Sequence, residues 1–217
     1  MSEPRVETLT RNEVLAGYES IKSTRPNLRA RDVALELGIS EAELLNSRTG
    51  DEVTKLEGEW AELIRSLPSL GRVMVLTRNE NCVHEKYGEF DNISIGPGHG
   101  LVLNKDIDLR LFMSHWHFGF AVSELVASGK RHSLQFFDID GQAVHKVYIP
   151  RDSNLKVYNS LVERFRTKEQ TKEISTHSLP AGRADLPDAE LDTENFLTHW
   201  GNLKDTHLFF GLLNEFG

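Results

Sequence analysis

The feature that most constrains the fold is a hairpin pattern in the second half of the chain. Residues 133–149 have the sequence SLQFFDIDGQAVHKVYI, in which two apolar segments flank the turn residues DIDG at 138–141. Turn residues of this kind between two strand-like segments are typical of an antiparallel hairpin. Similar segments follow one another from Arg72 with short turns between them, so the sequence predicts an antiparallel sheet rather than alternating strand–helix units.

Three stretches predict the other strands of this sheet. Residues 72–85 (RVMVLTRNENCVHE) predict two strands joined by a turn. Residues 92–104 (NISIGPGHGLVLN) predict a Gly/Pro corner between short strands. Residues 106–124 (DIDLRLFMSHWHFGFAVSE), rich in aromatic and branched side chains, predict one long strand.

Helical periodicity dominates the first third of the chain, and residues 10–66 predict helices. Ser40 stands three residues before Glu43, which is the spacing of a capping box at the start of a helix. Residues 51–70 predict a third amphipathic helix, which Pro68 and Gly71 would end.

The predicted fold class is therefore α+β, with N-terminal helices, a large antiparallel sheet and C-terminal helices packed on it. The predicted segments are an N-terminal helical segment (1–70), an antiparallel sheet with a helix (71–175), a linker (176–192) and a last helix (193–217).

Composition narrows the function classes. The chain has 217 residues and a net charge of −8, which disfavours nucleic acid as the main partner. Its one cysteine, Cys82, excludes an intramolecular disulfide and fits a reducing compartment. The N-terminus lacks the apolar core of a signal peptide, and no stretch approaches the ~20 apolar residues that span a bilayer. The sequence predicts a cytoplasmic, soluble protein.

A histidine lies in an apolar stretch near the end of the chain, residues 203–217 (LKDTHLFFGLLNEFG). If one helix continues through it at about 100° per residue, His207 shares an apolar stripe with other large side chains; these are Phe196, Trp200, Leu203 and Phe210. Two interpretations stay open. His207 is either a half-buried core histidine or a ligand to a metal or heme iron.

The predicted long strand carries further candidates. Alternation of side chains divides it into two faces, one with Arg110, Phe112, Ser114 and Trp116 and the other with Leu109, Leu111, Met113, His115 and His117. An arginine on an inward face needs an anionic or aromatic partner, and a salt bridge is the common solution. His115 and His117 have the spacing of a two-histidine metal chelate. Nothing nearby completes such a site, so core or exposed histidines are the favoured interpretation.

Residues 29–48 resemble a helix-turn-helix in length and spacing. The second helix begins Glu41-Ala42-Glu43, an acidic start that suits phosphate contact poorly. An ordinary helical hairpin is favoured, and a DNA-binding regulator remains as a hypothesis of another functional class.

Several stretches, in their order along the chain, resemble the HemS/HmuS/ChuS/PhuS family of bacterial cytoplasmic heme-utilisation proteins. The matching stretches are ARDVALELGISEAEL (30–44), TRNENCVHEKYGEF (77–90), GHGLVLNKDIDLRLFMSHWHFGF (98–120), SLQFFDIDGQAVHKVYI (133–149) and WGNLKDTHLFFGLL (200–213). No single stretch is a strict catalytic signature, but their combined order and spacing make the resemblance specific.

The resemblance implies a protein of two tandem, structurally similar halves with heme (iron protoporphyrin IX) bound in the cleft between them. Family proteins are about twice as long, so the chain is expected to be a truncated domain: the first half plus the helix that leads to the second. In the D-x-H-x-F-F context, His207 would be the axial iron ligand. Arg110 would lie on the distal side with Phe112 nearby, and Phe210 would wall the porphyrin.

The resemblance also implies the biological role. The leading hypothesis is heme trafficking and storage for iron acquisition, with a heme oxygenase or a heme-uptake ABC transporter as partner. The alternative is heme degradation, in which Arg110 would be catalytic. The sequence has no nicotinamide or flavin fingerprint, so degradation would need an external electron donor. The apolar last helix would pack against the second half or mediate self-association.

Overall fold

The structure is a computed structural model that describes residues 9–50, 52–79, 82–151, 153, 155–177, 191–205 and 208–216. The chain forms two compact units, Met1–Leu179 and Pro180–Gly217. The first unit contains the sheets and most of the helices, and the second contains two short helices.

Three helices open the first unit: α1 (Arg11–Thr24), α2 (Ala30–Leu37) and α3 (Glu41–Ser47). Gly38 ends α2 in the left-handed conformation, with φ of 69°. The predicted capping box is confirmed. The Glu43 N–H donates to Ser40 Oγ at 3.2 Å, and the Ser40 N–H donates to Glu43 Oε2 at 2.8 Å.

Two antiparallel sheets follow. The strands are β1 (Val53–Leu56), β2 (Arg72–Arg78), β3 (Val83–Glu89), β4 (Ile93–Ile95), β5 (Gly100–Leu103), β6 (Asp108–Leu111), β7 (Phe118–Val126), β8 (Gly129–Phe137) and β9 (Ala143–Ile149). A six-stranded sheet has the order β1-β7-β8-β9-β2-β3, and a three-stranded sheet has the order β4-β5-β6. Every one of these pairings is antiparallel, which confirms the predicted α+β fold with a large antiparallel sheet.

The predicted helix over residues 51–70 is wrong in its first part. Residues 53–56 form strand β1, which pairs with β7 at the edge of the large sheet. The helix is limited to α4 (Trp60–Ser66), followed by a 3₁₀ turn at Leu67–Leu70. Gly58 separates the strand from the helix with a φ of 116°, which favours glycine. Val53 and Leu56 are both buried, so tertiary packing overrides the helical periodicity.

The large sheet is covered on both faces. On one face, α4 and α5 (Leu155–Phe165) pack on the strands through apolar side chains such as Leu63, Ile64 and Tyr158. On the other face, Ala42 and Leu45 of α3 pack against Val53, Phe120 and Val122. The inward side chains of the small sheet join the first of these cores; they are Val102, Leu109 and Leu111. The small sheet is therefore held by its buried face, and its other face is free to carry polar residues.

The hairpin from which the prediction began is present as β8 and β9. The Asp138 N–H donates to the Gln142 carbonyl at 3.0 Å, and Gly141 has a φ of 77°. A non-glycine residue at position 141 would be strained in this left-handed conformation. Among the described residues, no helix combines the length and the apolar character needed to cross a bilayer.

Candidate functional site

The outer face of the three-stranded sheet carries the predicted arginine. Leu109 and Leu111 of β6 point into the core, and Arg110 between them is exposed on the opposite face. Leu101 of β5 lies directly across from Arg110 in the antiparallel register. The alternation predicted for this part of the strand is confirmed, but Arg110 lies on the outer face rather than an inward one.

The guanidinium of Arg110 is only lightly engaged. Its Nη1 lies 3.2 Å from Oδ1 of Asp108, and the two side chains are 49% and 65% exposed. The salt bridge that the sequence analysis considered is therefore present. An ion pair this exposed contributes little to stability. Because a guanidinium has five donors and this contact occupies one, Arg110 can also hydrogen-bond an anionic ligand.

An exposed aromatic side chain lies near Arg110. Phe112 is 53% exposed, and its ring centroid lies 6.1 Å from that of His99 at an angle of 42°. His99 belongs to the GPGHG turn, which closes with a hydrogen bond from the Gly96 N–H to the His99 carbonyl at 3.0 Å. The face therefore combines a cation, an apolar ring and an imidazole.

His99 was not among the residues predicted for the site, because the Gly-rich segment was interpreted only as a turn. A register signal could have identified it. Pairing of Leu101 with Arg110 places position 99 opposite position 112 when the ladder is extended by two residues. This signal can be used only when the pairing of β5 with β6 is known, because the sequence alone does not show which strands are neighbours.

The predicted long strand over residues 106–124 is wrong in its middle. The chain leaves β6 at Leu111, makes a 3₁₀ turn at Met113–His115, and re-enters the sheets with β7 at Phe118. Phe112 has φ of −94° and ψ of 73°, which is not extended. The break allows both Leu111 and Trp116 to point into one core, which strict alternation would forbid for positions five apart.

The break also removes the two-histidine chelate that the sequence analysis considered. His115 lies in the 3₁₀ turn, and His117 Nδ1 is 3.2 Å from the His115 carbonyl oxygen. Within the described part of the chain, no group of three or more potential metal ligands occurs.

Trp116 anchors the segment that follows the candidate face. Its ring stacks on Phe136 at 4.5 Å and on His145 at 5.6 Å between centroids. The indole N–H of Trp60 donates to the Trp116 carbonyl at 2.8 Å. Complete burial lowers the pKa of His145 to about 4, so this imidazole is neutral near pH 7. The anchor positions Phe112 and the 3₁₀ turn on a rigid base.

The second unit holds the other predicted site residues. The single helix predicted from about Thr193 to Phe216 is wrong, because the structure has two helices, α6 (Thr193–Gly201) and α7 (Phe209–Phe216). The ring centroids of Phe196 and Phe216 are 5.7 Å apart. Twenty residues of continuous helix would separate them by about 30 Å. Aromatic contacts between α6 and α7 therefore favour a helical hairpin, and the apolar stripe calculated for one straight helix does not apply.

Phe210 is 72% exposed on α7, while Phe209 contacts Trp200 with ring centroids 5.0 Å apart. His207, the predicted axial ligand, lies outside the described residues. The structure thus exposes Arg110 and Phe112, two positions apart, in the first unit and exposes Phe210 in the second unit.

The burial of helix α3 does not favour the helix-turn-helix hypothesis. Helix α3, which would have to enter a DNA groove, buries Ala42, Leu44 and Leu45 against the rest of the unit. Glu41 at its start is also buried, and it is bonded to Lys146 of β9. A recognition helix must expose several side chains to base edges, so the packing of α3 does not favour this role.

Comparison with known proteins places these features in a family. The family model described as "Haemin-degrading HemS.ChuX domain" matches residues 38–165. The hemin transport protein HmuS of Yersinia pestis is 38% identical over 203 residues, which are 91% of this chain and 57% of that protein. The chain therefore spans little more than half the length of this relative.

Solved structures of heme-related proteins are also similar to this chain. Holo-PhuS, a heme-binding protein from Pseudomonas aeruginosa, matches with a TM-score of 0.84 and 41% identity, over 96% of this chain and 61% of that one. ChuS, described as an E. coli heme oxygenase, matches with a TM-score of 0.72 and 32% identity, over 93% of this chain and 57% of that one. The chain belongs to the HemS/ChuX family of haemin-utilisation domains.

Proposed function

We propose that the chain binds heme and serves heme trafficking in the cytoplasm, within a pathway of heme uptake and iron acquisition. The observation that carries the proposal is the exposure of Arg110 on β6 and of Phe112 just after it, in a chain of this family. Two relatives support it by their descriptions, one as a hemin transport protein and one as a heme-binding protein.

The chemistry of the face fits a porphyrin. Heme has a flat apolar ring and anionic propionates. Phe112 offers an exposed ring for the apolar part, and the unoccupied donors of Arg110 suit acceptors on the same side. Leu101, which lies across from Arg110, extends the apolar surface beside the guanidinium.

Two further residues complete the proposed site. Neutral His207 would supply the axial nitrogen to the heme iron, with its other ring nitrogen held by an acceptor. Phe210, already exposed on α7, would form a second apolar wall. Heme would supply the iron centre, and these residues would bind and orient it. His207 and Phe210 both belong to the last of the proposed segments, which are 1–70, 71–175, 176–192 and 193–217.

A titration of hemin into the full chain, followed by Soret absorbance, tests the distal side. Arg110→Ala and Phe112→Ala are each expected to weaken binding by about tenfold, the effect of losing roughly 1.4 kcal/mol of contact. Arg65→Ala is the matched control, because Arg65 is an exposed arginine on α4. If Arg110→Ala binds hemin as Arg65→Ala does, Arg110 has no role in the site.

Heme degradation is the second candidate, because the family model and ChuS are both described in terms of haemin degradation or heme oxygenase activity. Addition of ascorbate to the hemin complex separates the two functions. A carrier keeps its Soret band under these conditions. Loss of the band with release of iron, abolished by Arg110→Ala, would assign degradation and a catalytic role for Arg110.

A further inference from the structure

A second candidate site lies on the six-stranded sheet, on different strands from those that carry Arg110. It is a pocket of about 410 Å³ formed where β8 begins and β9 ends, next to β2 and β3. We call it the basic pocket, and its polar lining consists of Lys130, Arg131, Arg151, Ser128, Tyr87 and Tyr148.

The charges in the basic pocket are unbalanced. Of the described residues that line the pocket, none is acidic, although the whole chain has a net charge of −8. Arg131 is already engaged, because its Nη2 lies 2.6 Å from Oε1 of Glu124 and its guanidinium lies over the Tyr148 ring. Among the described residues, neither Lys130 nor Arg151 has an ion-pair partner. Two cations therefore remain to hold an anion.

The guanidinium of Arg151 lies close to Gly129, the first residue of β8. Gly129 has a φ of 110°, and Nη2 of Arg151 lies 3.4 Å from where a Cβ on Gly129 would stand. The guanidinium of Arg151 thus lies beside the start of β8, and Lys130 of β8 lines the same pocket. The left-handed φ of Gly129 is the reason that glycine suits this position.

Two tyrosines give the pocket an aromatic side. Tyr87, Met74 and Tyr148 lie in one row across β3, β2 and β9. Tyr87 is more than half exposed, and the guanidinium of Arg72 lies 5.9 Å from its ring centroid. The phenol rings can contact a flat ring, and Tyr87 keeps a hydroxyl for hydrogen bonding.

Two of the carboxylates around Tyr148 are already paired. Burial raises the pKa of Tyr148 to about 12; the Arg131 guanidinium opposes this shift, and Glu41, Glu124 and Glu85 add to it. Arg131 is engaged by Glu124, and Glu41 by Lys146. A bound anion would therefore lie on the side of Lys130 and Arg151, with an attached ring towards the tyrosines.

We propose that the basic pocket binds a small phosphorylated molecule that bears an aromatic ring, of which a nucleoside diphosphate is the simplest case. Lys130 and Arg151 would hold the phosphates through charge-assisted hydrogen bonds. Tyr87 and Tyr148 would contact the ring. This proposal is independent of heme binding, since it uses none of the residues assigned to heme.

Calorimetric titration of ADP into the full chain at low ionic strength is the test. We expect saturable binding that weakens by about tenfold in Arg151→Gln and in Lys130→Gln, as for loss of a hydrogen bond to a charged group. Lys168→Gln is the matched control, because Lys168 is exposed and lies outside the pocket. Tyr87→Ala should weaken ADP binding and leave the binding of inorganic pyrophosphate unchanged.

Three outcomes would overturn the proposal. The wild-type chain could show no saturable heat with ADP at millimolar concentration. Arg151→Gln and Lys168→Gln could bind ADP equally well. Pyrophosphate could bind as tightly as ADP and with no effect of Tyr87→Ala, which would leave an anion site without recognition of a ring.

Discussion

At the scale of single residues, the buried ion pair between α3 and β9 is a point where the fold is vulnerable. Lys146 Nζ lies 2.6 Å from Oε1 of Glu41, and the two side chains are 9% and 5% exposed. The pair lies on the sheet face that α3 covers, so it ties the N-terminal helices to the sheet. Charges buried to this extent are stabilising mainly because each would be costly alone.

Removal of one partner should therefore cost more than removal of both. Lys146→Met leaves the Glu41 carboxylate buried without its cation, which is expected to lower the free energy of unfolding by about 3–5 kcal/mol. The double variant Glu41→Leu/Lys146→Met should recover most of that loss. Urea denaturation of the three proteins measures both effects. Equal loss in the single and double variants would show that the pair is not coupled.

His145 is a second buried polar group, and it should make the stability of the fold depend on pH. Both of its ring nitrogens lack a hydrogen-bond partner among the described residues, and burial lowers its pKa to about 4. An unfolded histidine has a pKa near 6.5, so the unfolded state binds the proton first as pH falls. The contribution of His145 to the free energy of unfolding is therefore fully present above about pH 6.5. It is lost between about pH 6.5 and pH 4, and the total loss is about 3 kcal/mol.

His145→Leu should flatten this part of the pH dependence. The measurement is the free energy of unfolding in urea at pH 7, 5.5 and 4.5, in which the slope rather than the absolute value is compared with wild type. His84→Leu is the control, because His84 is exposed on the edge strand β3. An unchanged slope in His145→Leu would mean that this imidazole is not protonated on unfolding.

At the scale of elements, prediction from sequence succeeded where the signal is local. The β8–β9 hairpin and the Ser40 capping box depend on residues within a few positions of each other, and both were found. Strand β1 was missed because its conformation is fixed by pairing with β7, some 65 residues away by register. The breaks at residues 112–117 and 202–205 were missed for a similar reason, since Trp116 and Phe216 contact partners that are distant in sequence.

The capping box gives a prediction at this scale. Ser40→Ala removes the acceptor of the Glu43 N–H at the start of α3, and this should destabilise the first unit by about 1 kcal/mol. Ser40→Gly should cost less, since glycine is an acceptable N-cap residue. Urea denaturation compares the two variants with Ser20→Ala, which removes a hydroxyl from an exposed position of α1. Equal stability of Ser40→Ala and wild type would show that the cap is not needed.

At the scale of the whole molecule, the candidate site was only partly predictable. Arg110 and Phe112 were proposed as site residues from the sequence, and both side chains are exposed in the structure. Their exposure could not be predicted from an assumed continuous strand, because the break after Leu111 determines where Phe112 points. The relatives are longer than this chain, which covers 57% of the Yersinia pestis protein and 61% of the Pseudomonas aeruginosa structure. The activity of the longer proteins is thus a proposal for this chain.

We propose His207 as the axial ligand to heme iron, and a hemin titration of its alanine variant tests this role. His207→Ala should weaken hemin binding by at least about tenfold and shift the Soret maximum, because a nitrogen–iron bond is lost. His199→Ala is the matched control, since His199 is an exposed histidine of α6 whose Nδ1 lies 2.8 Å from the Asn195 carbonyl oxygen of the same helix. If His207→Ala keeps the wild-type affinity and spectrum, as His199→Ala should, the claim is contradicted.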